Sequence, residues 1–189
     1  MHRHHPKTAL MPLLAVMLFF LAACSTNKDA PPPACPKASF LEGTSTLTRF
    51  RDGPGRDLID VDFTGNLEGL NGSCQYNIDS DTGAGVLNMD VQINVRADRG
   101  PANRDHIAKF NYFVSILDAN GKILNKKIFP FSVRFDGNKT IVQDTDAPVT
   151  MAIPITAKQG HQDFSIYAGF QLSPEEIRYN RKKNRPGNY

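Results

Sequence analysis

The stretch that decides the fold is VLNMDVQINVRA, residues 86–97, in which apolar and polar side chains alternate without a break. Alternation with a period of two places successive side chains on opposite faces of a β-strand. The apolar set comprises Leu87, Met89, Val91, Ile93, Val95 and Ala97. We therefore predict a strand with one buried and one hydrated face, as in an antiparallel sheet with one solvated side.

Shorter alternating segments recur on both sides of this strand, between turn signals. Before it, strands are predicted at 44–51, 59–64 and 74–79, separated by the turns at 52–55 and 71–72. After it, strands are predicted at 107–117, 129–135, 149–155 and 164–170. In the strand at 59–64, Ile59 is predicted to point inward, while Asp60 and Asp62 point to solvent.

Seven or eight strands at this spacing predict an all-β protein, an immunoglobulin-like antiparallel β-sandwich. A small β-barrel is the alternative. Residues 91–124, with the hairpin signal DANGK at 118–122, resemble immunoglobulin-like accessory domains of bacterial envelope proteins. The resemblance implies a fold and names no activity.

A short helix is predicted to follow the sandwich. Ser173 is suited to the N-cap, Pro174 to the first helical position and Glu176 to the third, which is the capping-box arrangement. Residues 173–189 are predicted to form this helix and a basic tail, whose cations are Arg178, Arg181, Lys182, Lys183 and Arg185. Such cations are attracted to anionic lipid head groups, so the tail is a candidate for membrane or partner contact, with a solvated helix end as the alternative.

The amino-terminal segment has the layout of an export signal. Arg3 and Lys7 precede an apolar run at 9–23, and the box LAAC at 21–24 resembles the lipobox of bacterial lipoproteins. That resemblance implies a signal peptide at 1–23 and acyl chains, such as palmitate, on Cys24. Several chains make a membrane anchor effectively permanent. Ser25 resembles the outer-membrane sorting pattern of that family, which implies a lipid-anchored protein of the cell envelope, in the outer membrane and facing the periplasm. The alternative is an ordinary signal peptide cut near Ala23.

Residues 24–37 are predicted to be an acylated, proline-rich tether ahead of a β-sandwich domain at 38–172. In a polyproline II conformation the tether reaches roughly 30 Å. With Cys24 acylated, Cys35 and Cys74 remain, and in an oxidising compartment we predict a disulfide between them. A metal or redox pair is disfavoured, because the sequence has neither a C-x-x-C spacing nor a histidine near these two cysteines.

No catalytic residue, metal site or cofactor is predicted. The motifs of common hydrolases, nucleotide-binding proteins and zinc proteases are absent from the sequence, and the near-neutral mature chain gives no sign of a nucleic-acid partner. His106 and His161 are predicted to be solvated loop residues, and the pair Asp60 and Asp62 to lie on a wet strand face. The turn at 79–83 has the alternating oxygens of a calcium loop but lacks its glycine at position six and its glutamate at position twelve.

The sequence therefore favours a non-enzymatic envelope lipoprotein that works through a protein partner. The first alternative is a carrier of an apolar small molecule or lipid, bound between the sheets near Phe110, Tyr112, Phe129, Phe131 and Phe164. The second alternative is a hydrolase whose site has no recognisable motif.

Overall fold

The computed structural model describes residues 33–183 of this chain. Within that range the elements are β1 (Lys37–Phe40), β2 (Thr46–Phe50), β3 (Val61–Ile78), β4 (Gly85–Arg99), β5 (Ile107–Asp118), β6 (Ile123–Arg134), β7 (Ile141–Thr145), β8 (Val149–Ile155), β9 (Phe164–Phe170) and α1 (Pro174–Lys183). The predicted all-β sandwich with a short C-terminal helix is confirmed.

The strands form two sheets. The first has the order β1-β9-β5-β6, and the second has the order β2-β3-β4 with both β7 and β8 on the far side of β4. β7 pairs with the second half of β4, and β8 pairs with its first half. Pairing is antiparallel throughout, except that β1 runs parallel to β9. Because the described strands divide into two separate sheets, they form a sandwich and not a closed barrel.

The core lies between the sheets, and β4 supplies its longest row of side chains. Each inward residue predicted for β4 is at most 1% exposed, namely Leu87, Met89, Val91, Ile93, Val95 and Ala97. The same core contains the inward residues of β5, which are Phe110, Tyr112, Val114 and Ile116. Complete burial of one large aliphatic side chain contributes about 1.5–3 kcal/mol, so the β4 row contributes on the order of 10 kcal/mol before conformational entropy is subtracted.

One polar contact crosses the core. The Tyr112 side chain, 1% exposed, donates a hydrogen bond of 2.5 Å from its hydroxyl to Asp146 Oδ2. Asp146 lies in the short connection between β7 and β8, so this bond joins the central strand of the first sheet to the edge of the second. Burial, and then the bond to the carboxylate, raise the pKa of Tyr112, so the hydroxyl stays protonated and remains a donor.

The turn predicted at Asn71 and Gly72 is wrong, because β3 runs through it without a break. Asn71 pairs with Gln92 and Gly72 with Val91, and the one register shift between β3 and β4 lies earlier in the strand, between Leu67 and Gly69. The unbroken strand β4 offers pairing partners along its whole length, so the local turn preference is overridden. A Cβ on Gly72 would lie 2.6 Å from the Met89 methyl carbon, which gives this glycine a packing role.

The prediction for residues 59–60 is also wrong. Leu58–Asp60 forms a short 3-10 helix, in which Ile59 is 73% exposed and Asp60 only 4% exposed. Asp60 turns inward because its carboxylate accepts hydrogen bonds from the Arg51 guanidinium and from the Asp57 backbone N–H. These bonds lower the pKa of Asp60 and outweigh the alternating pattern that placed Ile59 in the core.

Two strands were not predicted. β1 has four residues, directly follows a proline and pairs with a strand more than 120 residues further along the chain. β7 has no fully buried residue and lies on the edge of its sheet. Neither segment carries a run of alternating apolar residues. The strand conformation of each therefore depends on its pairing with a neighbouring strand.

Helix α1 begins as the sequence predicts. The Ser173 hydroxyl oxygen accepts a bond from the Glu176 backbone N–H, and the Glu176 carboxylate accepts one from the Ser173 N–H. Further along, the buried Asn180 side chain donates to the carbonyl oxygens of Gly43 and Thr46. The helix is thereby fixed along the free edge of β2.

Candidate interaction surface

The chain enters the sandwich beside β3. Cys35 and Cys74 form a disulfide, with their Cα atoms 5.6 Å apart, which confirms the predicted bridge. Next to it, the Tyr76 hydroxyl donates a hydrogen bond of 2.8 Å to the Ala34 carbonyl oxygen. The segment ahead of β1 is therefore fixed to the second sheet, while β1 itself belongs to the first.

One row of paired residues in the first sheet shows at which end of the sandwich the chain enters. Lys37 of β1 pairs with Ser165 of β9, which pairs with Leu117 of β5, which in turn pairs with Ile123 of β6. The row lies at the turn between β5 and β6 and starts two residues after the disulfide. We call this end of the sandwich the entry end.

The opposite end, which we call the far end, is where β3 and β5 begin. Asn103, 1% exposed, donates hydrogen bonds of 3.0 Å to Asp62 Oδ1 and to the Ile107 carbonyl oxygen. These bonds join the starts of the two strands. Between Val61 and Cys74, β3 spans up to about 40 Å at 3.3 Å per residue, so the far end is well separated from the point of entry.

A groove of about 740 Å³ lies towards the far end, between α1, β2 and the loop after β2. We call it the helix groove. Two ion pairs join its walls, since Arg49 Nε lies 2.9 Å from Glu176 Oε1 and Arg56 Nε lies 2.6 Å from Glu175 Oε1. The Arg56–Glu175 pair is exposed, and a pair of this kind contributes about 1 kcal/mol or less, whereas the Glu176 side chain of the other pair is only 13% exposed. Arg56 and Glu175 can therefore exchange one partner for another at little cost in stability.

Aromatic rings support one side of the helix groove. The Arg56 guanidinium lies 5.5 Å from the centre of the Phe50 ring, and the Tyr179 ring packs edge-on against the same ring at 5.1 Å. Hydrogen bonding to Glu175 raises the pKa of Arg56, and the same bond lowers the pKa of Glu175. Both groups therefore remain charged at neutral pH, and the groove presents charge next to aromatic surface.

Arg49 also borders two further grooves, of about 680 and 400 Å³. Among the described residues that line the larger of these, Lys109 is a second cation and none is a carboxylate. The Arg49 guanidinium lies 5.9 Å from the centre of the Phe63 ring. Arg49 thus lines all three grooves, and we call their combined lining the Arg49 surface.

The predicted cations of the tail are only partly brought together. Arg178 and Lys182 line the helix groove. Arg181 and Lys183 are exposed in the last turn of α1. Arg185 lies outside the described residues, as does the predicted lipidation site Cys24. The structure therefore places two of the five cations within the Arg49 surface.

The two aspartates that sequence spacing paired do not act together. Asp60 is bound by Arg51, whereas Asp62 accepts its bond from Asn103. Burial raises the pKa of Asp62. The two carboxylates therefore have separate structural partners and form no acid–base pair.

The two histidines lie in the connections that precede β5 and β9. His106 has a positive φ of 60°, and its Nδ1 lies 3.3 Å from the Phe135 carbonyl oxygen. His161 begins a 3-10 helix before β9. Within residues 33–183, no group of three His, Cys, Asp or Glu side chains is placed to hold a metal ion.

The turn with the calcium-like spacing is held by its own hydrogen bonds. Asp79 Oδ1 accepts bonds from the Asp81 and Thr82 backbone N–H groups and from the Thr82 hydroxyl. These bonds lower the pKa of Asp79. The carboxylate therefore has a structural role in the turn between β3 and β4.

The aromatic residues considered for an apolar ligand pack against one another. The Phe110 and Phe131 rings lie 5.6 Å apart, and the Tyr112 and Phe129 rings are stacked at 5.3 Å. Phe164 belongs to the same buried cluster. These contacts are those of a packed core.

Sequence reasoning missed Arg49 and Arg56, which shape the helix groove. Both are single cations in or beside a short strand, and their partners on α1 are more than 100 residues away. The available signal was indirect: Glu175 and Glu176 are adjacent acids at the helix start, and such acids can pair with a cation elsewhere in the chain. The sequence did not indicate which one.

Comparisons with known proteins do not identify a family. No protein-family model and no curated protein matches the sequence. Among solved structures, the chain is similar to the variable (V) domain of the AgI/II polypeptide BspA of Streptococcus agalactiae. The identity is 12%, the match covers 72% of this chain and 78% of that chain, and the TM-score is 0.18. A likeness at that TM-score carries no argument about this protein. Among the described residues, no helix is long and apolar enough to cross a membrane.

Proposed function

We propose that this chain is a non-enzymatic lipoprotein of the bacterial cell envelope, anchored through Cys24 in the outer membrane, whose β-sandwich binds another envelope protein. The observation that supports this most strongly is the separation of two features. The chain enters at one end of the sandwich, where the Cys35–Cys74 disulfide fixes it, and the helix groove lies towards the other end.

This geometry suits a domain that presents a binding surface away from its anchor. The tether reaches roughly 30 Å, and the sandwich adds up to about 40 Å between the disulfide and the far end. The groove offers exposed arginines next to aromatic rings, and arginine and aromatic side chains are enriched where proteins bind one another. We therefore place the partner on the Arg49 surface, which includes Arg178 and Lys182.

The anchor is tested in the native bacterium by metabolic labelling with an alkyne-bearing fatty acid. The wild-type protein should carry the label and sediment with the membrane fraction. The variant Cys24→Ala should carry none and be recovered in the soluble periplasmic fraction. An unlabelled wild-type protein, or a labelled Cys24→Ala variant, would contradict the anchor.

The partner surface is tested by placing a photoreactive amino acid at Arg178 and illuminating intact cells. A defined crosslinked product should appear and be identifiable by mass spectrometry. The matched control is the same amino acid at Lys158, which is exposed and follows β8 at the entry end. If both positions give the same products, or Arg178 gives none, the far end is not the binding surface.

A further inference from the structure

The hairpin formed by β5 and β6 exposes three large aliphatic side chains, two at the entry end and the third nearer the middle of β6. Ile123 is 57% exposed, Leu124 48% and Ile128 52%. The turn before them is rigid, because Asp118 Oδ1 accepts hydrogen bonds from the backbone N–H groups of Asn120 and Lys122. The three side chains are thus held at the surface on an ordered strand and do not belong to a loose loop.

The same hairpin carries three lysines, Lys122, Lys126 and Lys127. Lys126 Nζ lies 4.4 Å from the centre of the Phe113 ring, so this side chain covers apolar surface while its charge faces outward. The nearby carboxylate, Asp118, is engaged by the backbone of the turn. Lys127 pairs with the core residue Val114, so its side chain points to the opposite side of the strand from Lys126 and Ile128. We call Ile123, Lys126 and Ile128, with Lys122 of the turn, the hairpin face.

An apolar hollow of about 520 Å³ adjoins the hairpin face on the first sheet. Ile123 lines it together with Leu41, Phe113, Leu117 and Tyr167. Lysines on an edge strand serve to prevent pairing with other strands, but that role does not require exposed isoleucine and leucine. A contiguous apolar area bordered by cations is typical of an interaction site.

The register places this face close to the point where the tether joins the sandwich. Lys37, two residues after Cys35, and Ile123 lie in the same row of the sheet, three strand positions apart. At about 4.8 Å per strand, that separation is about 15 Å. The tether of roughly 30 Å is therefore long enough for the hairpin face to reach the surface in which Cys24 is embedded.

We propose that the hairpin face binds the surface of an anionic phospholipid bilayer, so that the domain has a second, non-covalent membrane contact beside its lipid anchor. The inference rests on the proposed function, since the tether sets the bilayer within reach. Aliphatic side chains at the head-group boundary and lysines that attract anionic lipids act together in interfacial binding.

The test uses the mature chain, residues 24–189, with Cys24→Ser, so that no acyl chain contributes to binding. Vesicles of phosphatidylcholine with 30% phosphatidylglycerol are compared with vesicles of phosphatidylcholine alone in a sedimentation assay. The protein should bind the anionic vesicles and bind the neutral vesicles at least tenfold more weakly. Replacement of Lys122 and Lys126 by glutamine should weaken binding by about 25-fold, since each lysine contributes on the order of fivefold near an anionic surface.

Two further variants distinguish this face from the basic tail. Replacement of Ile123 and Ile128 by serine should abolish binding at physiological salt, where charge attraction is screened within about 8 Å. Replacement of Arg181 and Lys183 by glutamine removes charge from α1 and should leave binding within twofold of wild type. Melting temperatures, measured for every variant, verify that each is folded.

The proposal is overturned if the protein binds neutral and anionic vesicles equally, or if the hairpin variants bind as well as wild type. It is also overturned if sedimentation equilibrium shows a dimer that the serine variant abolishes while no form binds vesicles, because the face would then join two copies of this chain. Failure here leaves the anchor intact, since fatty-acid labelling of Cys24 is measured separately.

Discussion

Replacing both Cys35 and Cys74 by serine should remove a large share of the stability of the sandwich. The disulfide closes a loop with a sequence separation of 39. In the chain-entropy model a loop of that size lowers the entropy of the unfolded state enough to stabilise the fold by about 4 kcal/mol. Domains of ordinary size are stable by about 5–15 kcal/mol, so the variant should fold but be marginal.

The measurement is urea unfolding followed by circular dichroism, with Cys24→Ser present in every protein so that only one cysteine pair is compared. For an unfolding slope of about 2 kcal/mol/M, the midpoint should fall by about 2 M, and the slope should rise because the unfolded chain without its cross-link exposes more surface. Amide exchange should also accelerate first in β1, which has four residues and pairs with a single neighbour. Tyr76→Phe, which removes only the adjacent bond to Ala34, is the matched control and should cost about 1 kcal/mol.

The reasoning would be refuted by a loss below about 1 kcal/mol on removal of the disulfide, or by unfolding curves that a reductant leaves unchanged. A loss as small as that of the control would mean that the entry segment is held chiefly by non-covalent contacts.

Three other changes test separate parts of the structure. Tyr112→Phe leaves the Asp146 carboxylate without its charge-assisted donor and should lower the free energy of unfolding by about 1.5–3 kcal/mol in a denaturant titration. Gly100→Ala places a Cβ against the Val61 carbonyl oxygen and should cost at least about 1–3 kcal/mol, whereas Gly160→Ala, where nothing lies within 4 Å, should change stability by less than about 0.5 kcal/mol. The folded state holds the pKa of Asp60 below its ordinary value of 3.8, so its carboxylate stabilises the fold above that pH, and this contribution is lost as the pH falls through the lowered pKa. Asp60→Asn should therefore give a melting temperature that falls less steeply than wild type below about pH 4.

Several elements follow from local pattern alone. The alternation at 86–97 predicts β4 and its buried face, because the period of two is a property of any extended chain. The helix start at Ser173 is predicted for a similar reason, since the capping box needs only residues three apart. The disulfide was predictable because only two cysteines remain if Cys24 is acylated.

The errors came where a distant contact overrode a local preference. Asn71 and Gly72 would suit a turn in isolation, but the neighbouring strand pairs with both. Ile59 would suit a core position, but the bond between Asp60 and Arg51 turns the backbone so that Ile59 faces solvent. The residues that pair with Asn71 and Gly72 lie about 20 positions further along the chain. Arg51 lies only nine residues from Asp60, but an ion pair at that spacing leaves no periodic pattern of apolar residues.

The sequence by itself determined the class of fold and the pairing of Cys35 with Cys74, because the first depends on neighbouring residues and the second has a single answer if Cys24 is acylated. Only the tertiary structure decided which surfaces the domain presents. The helix groove needs Arg56 and Glu175, 119 residues apart, and the hairpin face lies near the tether only because three strand pairings place Lys37 and Ile123 in one row. Contacts between strands carry that information, and no local pattern of side chains contains it.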